Sequence, residues 1–169
     1  MRTVTILSIA IAVLASTNLI AADETVRDSD KAAIEALQTT YIDGVVTQNV
    51  DKIMTIYARG SNLFVYDDGG PPYRSAEAYR KSWGELYATY PGPTKDAISD
   101  QTIHVVGTIG YGHTIQTGEV TRKDGTTVKF VLRTTDIYRK MNGKWLIVEE
   151  HTSFPVDMET MKVDPLPKP

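Results

Sequence analysis

The chain has no cysteine among its 169 residues, which removes disulfide staples, thiol nucleophiles and thiolate metal sites together. It has three histidines, His104, His113 and His151, and their spacing matches none of the patterns by which imidazoles gather a metal. No cofactor or metal is therefore expected. A glycine-rich phosphate loop, a GxSxG nucleophile turn and an HExxH helix are also missing. There is no basic excess: 18 Lys and Arg stand against 21 Asp and Glu, a formal net charge of −3. That balance offers no basic stripe to nucleic acid or to an anionic membrane surface. Nor does any apolar run reach the roughly 20 residues that a membrane span needs.

What is present begins with MRTVTILSIAIAVLASTNLIAADET. One positive charge at Arg2, an apolar stretch from Val4 to Leu14 and small residues around Ala21-Ala22 follow the order of a secretory signal. Residues 1–22 are expected to be removed as the protein is exported to a periplasm or to the outside. About 147 residues would remain, enough for one domain with a sizeable core. Without disulfides, that core must hold the fold alone. Residues 23–157 are assigned to the domain, and the proline-rich 158–169 to a loose tail.

Along the domain the periodicity changes once. Ser29 or Asp30 is a candidate N-cap for a helix whose stripe is Ile34, Leu37, Tyr41 and Val45. VDKIMTIYARG predicts a short second helix ending at a left-handed Gly60, and Leu63 to Tyr66 a short strand. After the turn signals around Gly69-Gly70-Pro71-Pro72, Ser75 caps a helix with Tyr79, Trp83, Leu86 and Tyr87 on one face. That aromatic stripe reads as core or as the wall of a pocket. From Ile98 onward the pattern is that of strands: Ile98 to Val106, Tyr111 to Arg122, Thr127 to Met141 and Lys144 to Phe154. Their short connections predict antiparallel neighbours, so the class is α+β, with helices first and a curved antiparallel sheet after them.

Three segments, YIDGVVTQNVDKIMTIYA, GGPPYRSAEAYRKSW and TDIYRKMNGKWLIVEEHTSFPVD, resemble the SnoaL-like domains of the nuclear-transport-factor-2-like superfamily. The resemblance implies a cone-shaped fold and leaves the activity open, because this scaffold serves enzymes, binding modules and assembly domains alike. Likeness to ketosteroid isomerase places that family's oxyanion-binding tyrosine on Tyr41 and its protonated aspartic acid on Asp136. The general-base position falls on Val65, which cannot move a proton, so Asp67, two residues on, is the substitute. Likeness to the association domain of calcium/calmodulin-dependent kinases puts that family's pocket arginines on His113, Asp136 and Thr152. The positive charges are gone, which implies that an anionic ligand of that type is not bound.

The final hairpin has two possible registers. A two-residue turn at Asn142-Gly143 sets Asp136 opposite Glu149, with His151 on the same face. A three-residue turn, Met141-Asn142-Gly143, puts Asp136, Glu150 and Thr152 on one face instead. The resemblance favours the second, since it requires Asp136 and Thr152 inside together. Two carboxyls sharing an apolar cone raise each other's pKa, so one holds a proton. On this reading Tyr41 and Asp136 hold a substrate oxygen, His113, Glu150 or Asp67 shuttles a proton, and Trp83, Thr152, Arg133 and His151 line the site. The bland alternative is a polar network, His113 to Asp136 or Arg133 to Glu150, that only fixes strand pairing. The expected partner is a small, mostly apolar, oxygen-bearing molecule, with a second copy of the chain packed on the open sheet face. Proton-transfer enzyme and non-enzymatic binding or assembly module both remain open.

Overall fold

The structure, a computed structural model, describes the backbone of residues 5–67 and 70–164 and the side chains from residue 24 onward. No glycine or proline lies between Thr5 and Asp43, and nothing else there stops a helix. Helix α1 accordingly runs Thr5–Val46 without a break. The cap expected at Ser29 or Asp30 is not one. Asp30 lies mid-helix, buried, and accepts from Lys140 Nζ at 2.6 Å and Trp145 Nε1 at 2.9 Å. It ties α1 to the far hairpin rather than starting a helix. Among the described residues no helix is long and apolar enough to cross a membrane.

A reversal at Gln48 leads to Asn49, whose side chain accepts from the Lys52 backbone and caps α2 (Val50–Ile53). The packing here is close: a Cβ on Gly44 would lie 2.7 Å from Ile53 Cγ1. The second helix is shorter than expected. It tightens into a 3-10 turn at Met54–Ile56, and Tyr57 is already extended and bridged to Ile147. Gly60 does take a left-handed φ of 59°, but it opens a second 3-10 turn, Gly60–Asn62, instead of ending a helix. Strand β1 (Phe64–Tyr66) follows, then α3 (Ala76–Thr89), capped by Ser75 as the sequence predicts.

Four long strands complete the domain: β2 (Lys95–Val106), β3 (Ile109–Thr121), β4 (Thr127–Met141) and β5 (Lys144–Ser153). They pair antiparallel in the order β5-β4-β3-β2, with β1 added parallel to β5 at the edge. One face of this sheet carries Thr134, Asp136 and Tyr138 from β4 and Trp145, Ile147, Glu150 and Thr152 from β5, all buried. Against it pack Ile34, Tyr41 and Val45 of α1 and Tyr79, Trp83 and Tyr87 of α3. Burying each such side chain contributes about 1.5–3 kcal/mol, so this layer is the main source of stability. The chain beyond residue 157 is not simply loose. Val156–Asp157 pairs with Lys162–Val163 as a short exposed hairpin, β6 and β7.

The register of the β4–β5 hairpin corrects the argument from the turn while keeping the favoured face. Met141 pairs with Lys144 across a two-residue turn in which Asn142 and Gly143 both have positive φ, 51° and 78°. The extra residue enters farther along. Tyr138 pairs with Ile147 and Ile137 with Glu149, so Val148 is a bulge. The bulge resets the alternation, and Asp136 therefore faces Glu150 and Thr134 faces Thr152.

Candidate functional site

Inside the cone, two carboxyls lie side by side on neighbouring strands. Asp136 is 2% exposed and Glu150 5%. Asp136 Oδ2 accepts from Gln38 Nε2 and from the Tyr138 hydroxyl, each at 2.9 Å. Glu150 accepts from two tyrosines, Tyr57 on Oε2 and Tyr79 on Oε1, both at 2.7 Å. No cation is among these partners. Burial pushes both carboxyls above their ordinary range, Glu150 more than Asp136, and the neighbouring Asp136 charge raises Glu150 further. Asp136 Oδ1 is buried with no donor from the rest of the protein. A protonated Glu150 is the donor within reach, so one proton held by the pair satisfies both groups. Burial also raises the Tyr57 and Tyr79 hydroxyls, which stay protonated and donate.

Glu150, not Asp136, meets open space. A cavity of about 320 Å³ is lined by Tyr41, Asp67, Tyr79, Trp83, Glu150 and Thr152 among others. Asp136, expected to hold a substrate oxygen, is absent from that lining and lies opposite Glu150 on the neighbouring strand. Tyr41 does reach the cavity, and its hydroxyl donates to Gln116 Oε1 at 3.3 Å. Gln116 in turn donates to Thr134, which is 3.4 Å from Thr152. A neutral chain of hydrogen bonds thus runs from Tyr41 across three strands to the cavity wall.

Three expected site residues lie outside. His113 is exposed on β3, between register partners Thr102 and Thr135, and has its back to the cone. Arg133 is exposed and donates to the Phe154 carbonyl at 3.1 Å. His151 is exposed, with its ring 5.7 Å from that of Tyr66. The alternation of a strand explains all three: each is an odd number of residues from Asp136 or Glu150, or opposite one that is. Neither His113 to Asp136 nor Arg133 to Glu150 therefore forms a network.

The partners that sequence reasoning did not assign are Gln38, Tyr57, Tyr79 and Tyr138. Two carried a signal. Tyr138 is two residues from Asp136 on one strand, and Gln38 is a polar residue four positions after Ile34 on the buried helical face. Tyr57 and Tyr79 come from separate elements, and only the folded chain brings them to one carboxyl. Among the described residues no group of His, Asp and Glu could hold a metal ion.

The family model of the SnoaL-like domain matches residues 34–157. No curated protein matches the sequence. Among solved structures, a nuclear-transport-factor-2-like protein of unknown function from Pseudomonas putida is similar with a TM-score of 0.73 at 24% identity, covering 84% of this chain and 98% of that one. A proposed dehydratase of the same superfamily from Streptomyces avermitilis has a TM-score of 0.67 at 12% identity, covering 75% and 97%. A proposed calcium/calmodulin-dependent kinase II association domain from Xanthomonas campestris has a TM-score of 0.61 at 23% identity, covering 71% and 84%. These likenesses bear out the cone fold, with its N-terminal helices on a curved antiparallel sheet.

Proposed function

The chain belongs to the SnoaL-like domain family, and from that premise we propose that its cone takes up a small, mostly apolar, oxygen-bearing molecule and exchanges a proton with it at Glu150. The observation that carries this reading is a buried carboxyl pair without a cation, one member of which forms the wall of a cavity. Such a pair holds one proton at neutral pH, because a second negative charge in that apolar site is too costly. Glu150 presents the proton to the ligand oxygen. Asp136, behind it, takes the charge under donation from Gln38 and Tyr138.

Val65, at the isomerase's general-base position, is wholly buried and cannot accept a proton. Asp67 lines the same cavity as Glu150 and serves instead. In an elimination of water, the C–O bond breaks as the Glu150 proton goes to the leaving oxygen. Asp67 then takes a proton from the neighbouring carbon, and exchange with solvent restores both acids. Isomerisation and cyclisation use the same two positions. The Streptomyces avermitilis relative, a proposed dehydratase, agrees with this class of chemistry.

A second reading, a non-enzymatic binding or assembly module, is favoured by the same Val65. The two separate cleanly. Protein purified from its native host is extracted and its bound small molecule identified by mass spectrometry; turnover of that compound class is then measured in wild type and in Glu150→Gln. The enzyme reading expects a 10²- to 10⁴-fold loss of turnover with the fold retained. A bound ligand recovered unchanged, with no turnover in the wild type, selects the module. The apolar run Val4 to Leu14 supports export, and exposed Tyr66, Val106, Ile109 and Tyr111 support self-association.

A further inference from the structure

A second chamber, of about 350 Å³, shares Tyr41, Trp83, Leu86 and Leu132 with the Glu150 cavity. Those shared side chains are the partition, with Tyr41 and Trp83 edge to face at 6.0 Å. Beyond it, the walls are Val45 of α1, Tyr87 of α3, Val120 of β3 and Phe130 of β4, with Phe154 and Val163 from the C-terminal segment. Neither Glu150 nor Asp136 lines this space. Val163 also lies outside the stretch that matches the SnoaL-like model, residues 34–157. Part of one wall is thus supplied by a strand, β7, beyond the family's matched segment.

Set in these apolar walls is Asp96, near the start of β2. Its Oδ1 is buried and has no hydrogen-bond partner in the protein. A buried acceptor left unpaired is destabilising, and a ligand that donates to it recovers that energy. Burial pushes the carboxyl up to about 7. The wall holds one cation, Lys129, whose side chain is exposed. The apolar walls disfavour a charged ligand of either sign, an anionic one most because Asp96 repels it. What remains complementary is a neutral molecule with an apolar body and one donor.

We propose that this chamber is a second ligand site, for a neutral hydroxylated ring compound such as a phenol or alicyclic alcohol, whose hydroxyl donates to Asp96 while its ring packs between Tyr87, Phe130 and Phe154. The site stands apart from the proton transfer assigned to Glu150. Its selectivity is for the donor, because the apolar walls accept a methyl ether of the same ring equally well.

Calorimetric titration of the full chain with 2-naphthol and with 2-methoxynaphthalene tests this. Wild type is expected to bind the naphthol at least tenfold more tightly than the ether. Asp96→Ala removes the difference, and Asp96→Asn, which keeps an acceptor, retains most of it. Val163→Glu, at a position 52% exposed and so tolerant of charge, weakens both compounds. Glu150→Gln alters the other cavity and leaves the Asp96-dependent preference in place, which keeps this test separate from that of proton transfer. Equal affinities in wild type, no binding of either compound, or a preference that survives Asp96→Ala overturns the proposal. So does a preference lost in Glu150→Gln.

Discussion

The β4–β5 hairpin holds buried carboxyls at two places, and they are settled in opposite ways. Near the turn, Asp30 of α1 accepts from Lys140 and from Trp145. These hydrogen bonds, that from Lys140 foremost, hold its carboxyl below the ordinary range despite burial. Past the Val148 bulge, Asp136 and Glu150 accept only from neutral groups, and burial holds both above it. The same two strands therefore carry a fixed negative charge at one end and a retained proton at the other. What separates them is one lysine. Burial alone decides neither outcome; the charge of the partner does.

Removing that lysine breaks the settled end and gives the largest stability change expected. Lys140→Met leaves the Asp30 carboxylate buried with Trp145 as its one remaining partner of the pair. Breaking a fully buried ion pair costs about 3–5 kcal/mol. The Lys140 side chain is 32% exposed, so water screens part of the loss, and about 2–3 kcal/mol is expected in urea melts. The double variant Asp30→Asn with Lys140→Met should recover much of this. A single variant as stable as the wild type would show that the clasp contributes nothing.

The converse change gives the unsettled end a cation. Gln38→Lys sets an ammonium where an amide now donates to Asp136 at 2.9 Å. A carboxyl gaining such a neighbour titrates about 1–3 units lower. The pair then loses its proton at neutral pH, and any turnover that uses it falls while the fold persists. Carbon-13 NMR titration of the side-chain carboxyls reads this directly. If Asp136 titrates in the variant as it does in the wild type, charge compensation is not what distinguishes the two ends.

Much of this was legible in the sequence, and the limits have physical reasons. The strands were, because alternation and turn residues are local signals; Thr127–Met141 has the observed bounds. The inward set Asp136, Glu150 and Thr152 was also read, although for the wrong reason. Asn142-Gly143 specifies the tight turn that is present, whereas a bulge at Val148 needs no special residue and leaves no mark. The parallel pairing of β1 on β5 brings Val65 level with Glu150, and no periodicity encodes a contact between segments so far apart. His113 was misplaced inward through resemblance alone. Its neighbours Gly112 and Thr114 are buried and it is not, and the sequence pattern did not reveal this because the apolar Tyr111 and Ile115 share its face of the strand.

The smallest expected effect is on the pH dependence of stability, and its sign differs between the two ends. Asp30 has a lowered pKa in the fold, so its contribution is present above the ordinary carboxylate range and is lost as the pH falls through the lowered value. Asp136 and Glu150 have raised values, so the folded state binds their protons more tightly than the unfolded chain does. Their contribution is full below the ordinary carboxylate range and is lost as the pH rises through the raised values. Between mildly acid and mildly alkaline pH, wild type should therefore lose a few degrees of Tm, of which Asp136→Asn loses a smaller part. With one acid gone, Glu150 no longer faces a like charge and its titration moves part of the way down, while burial still holds it above the ordinary range. Asp30→Asn should leave that alkaline slope in place and flatten the acid limb instead. Parallel profiles for wild type and Asp136→Asn would mean that the carboxyl pair holds no extra proton in the fold, and the distinction between the two ends would then rest on hydrogen bonding alone.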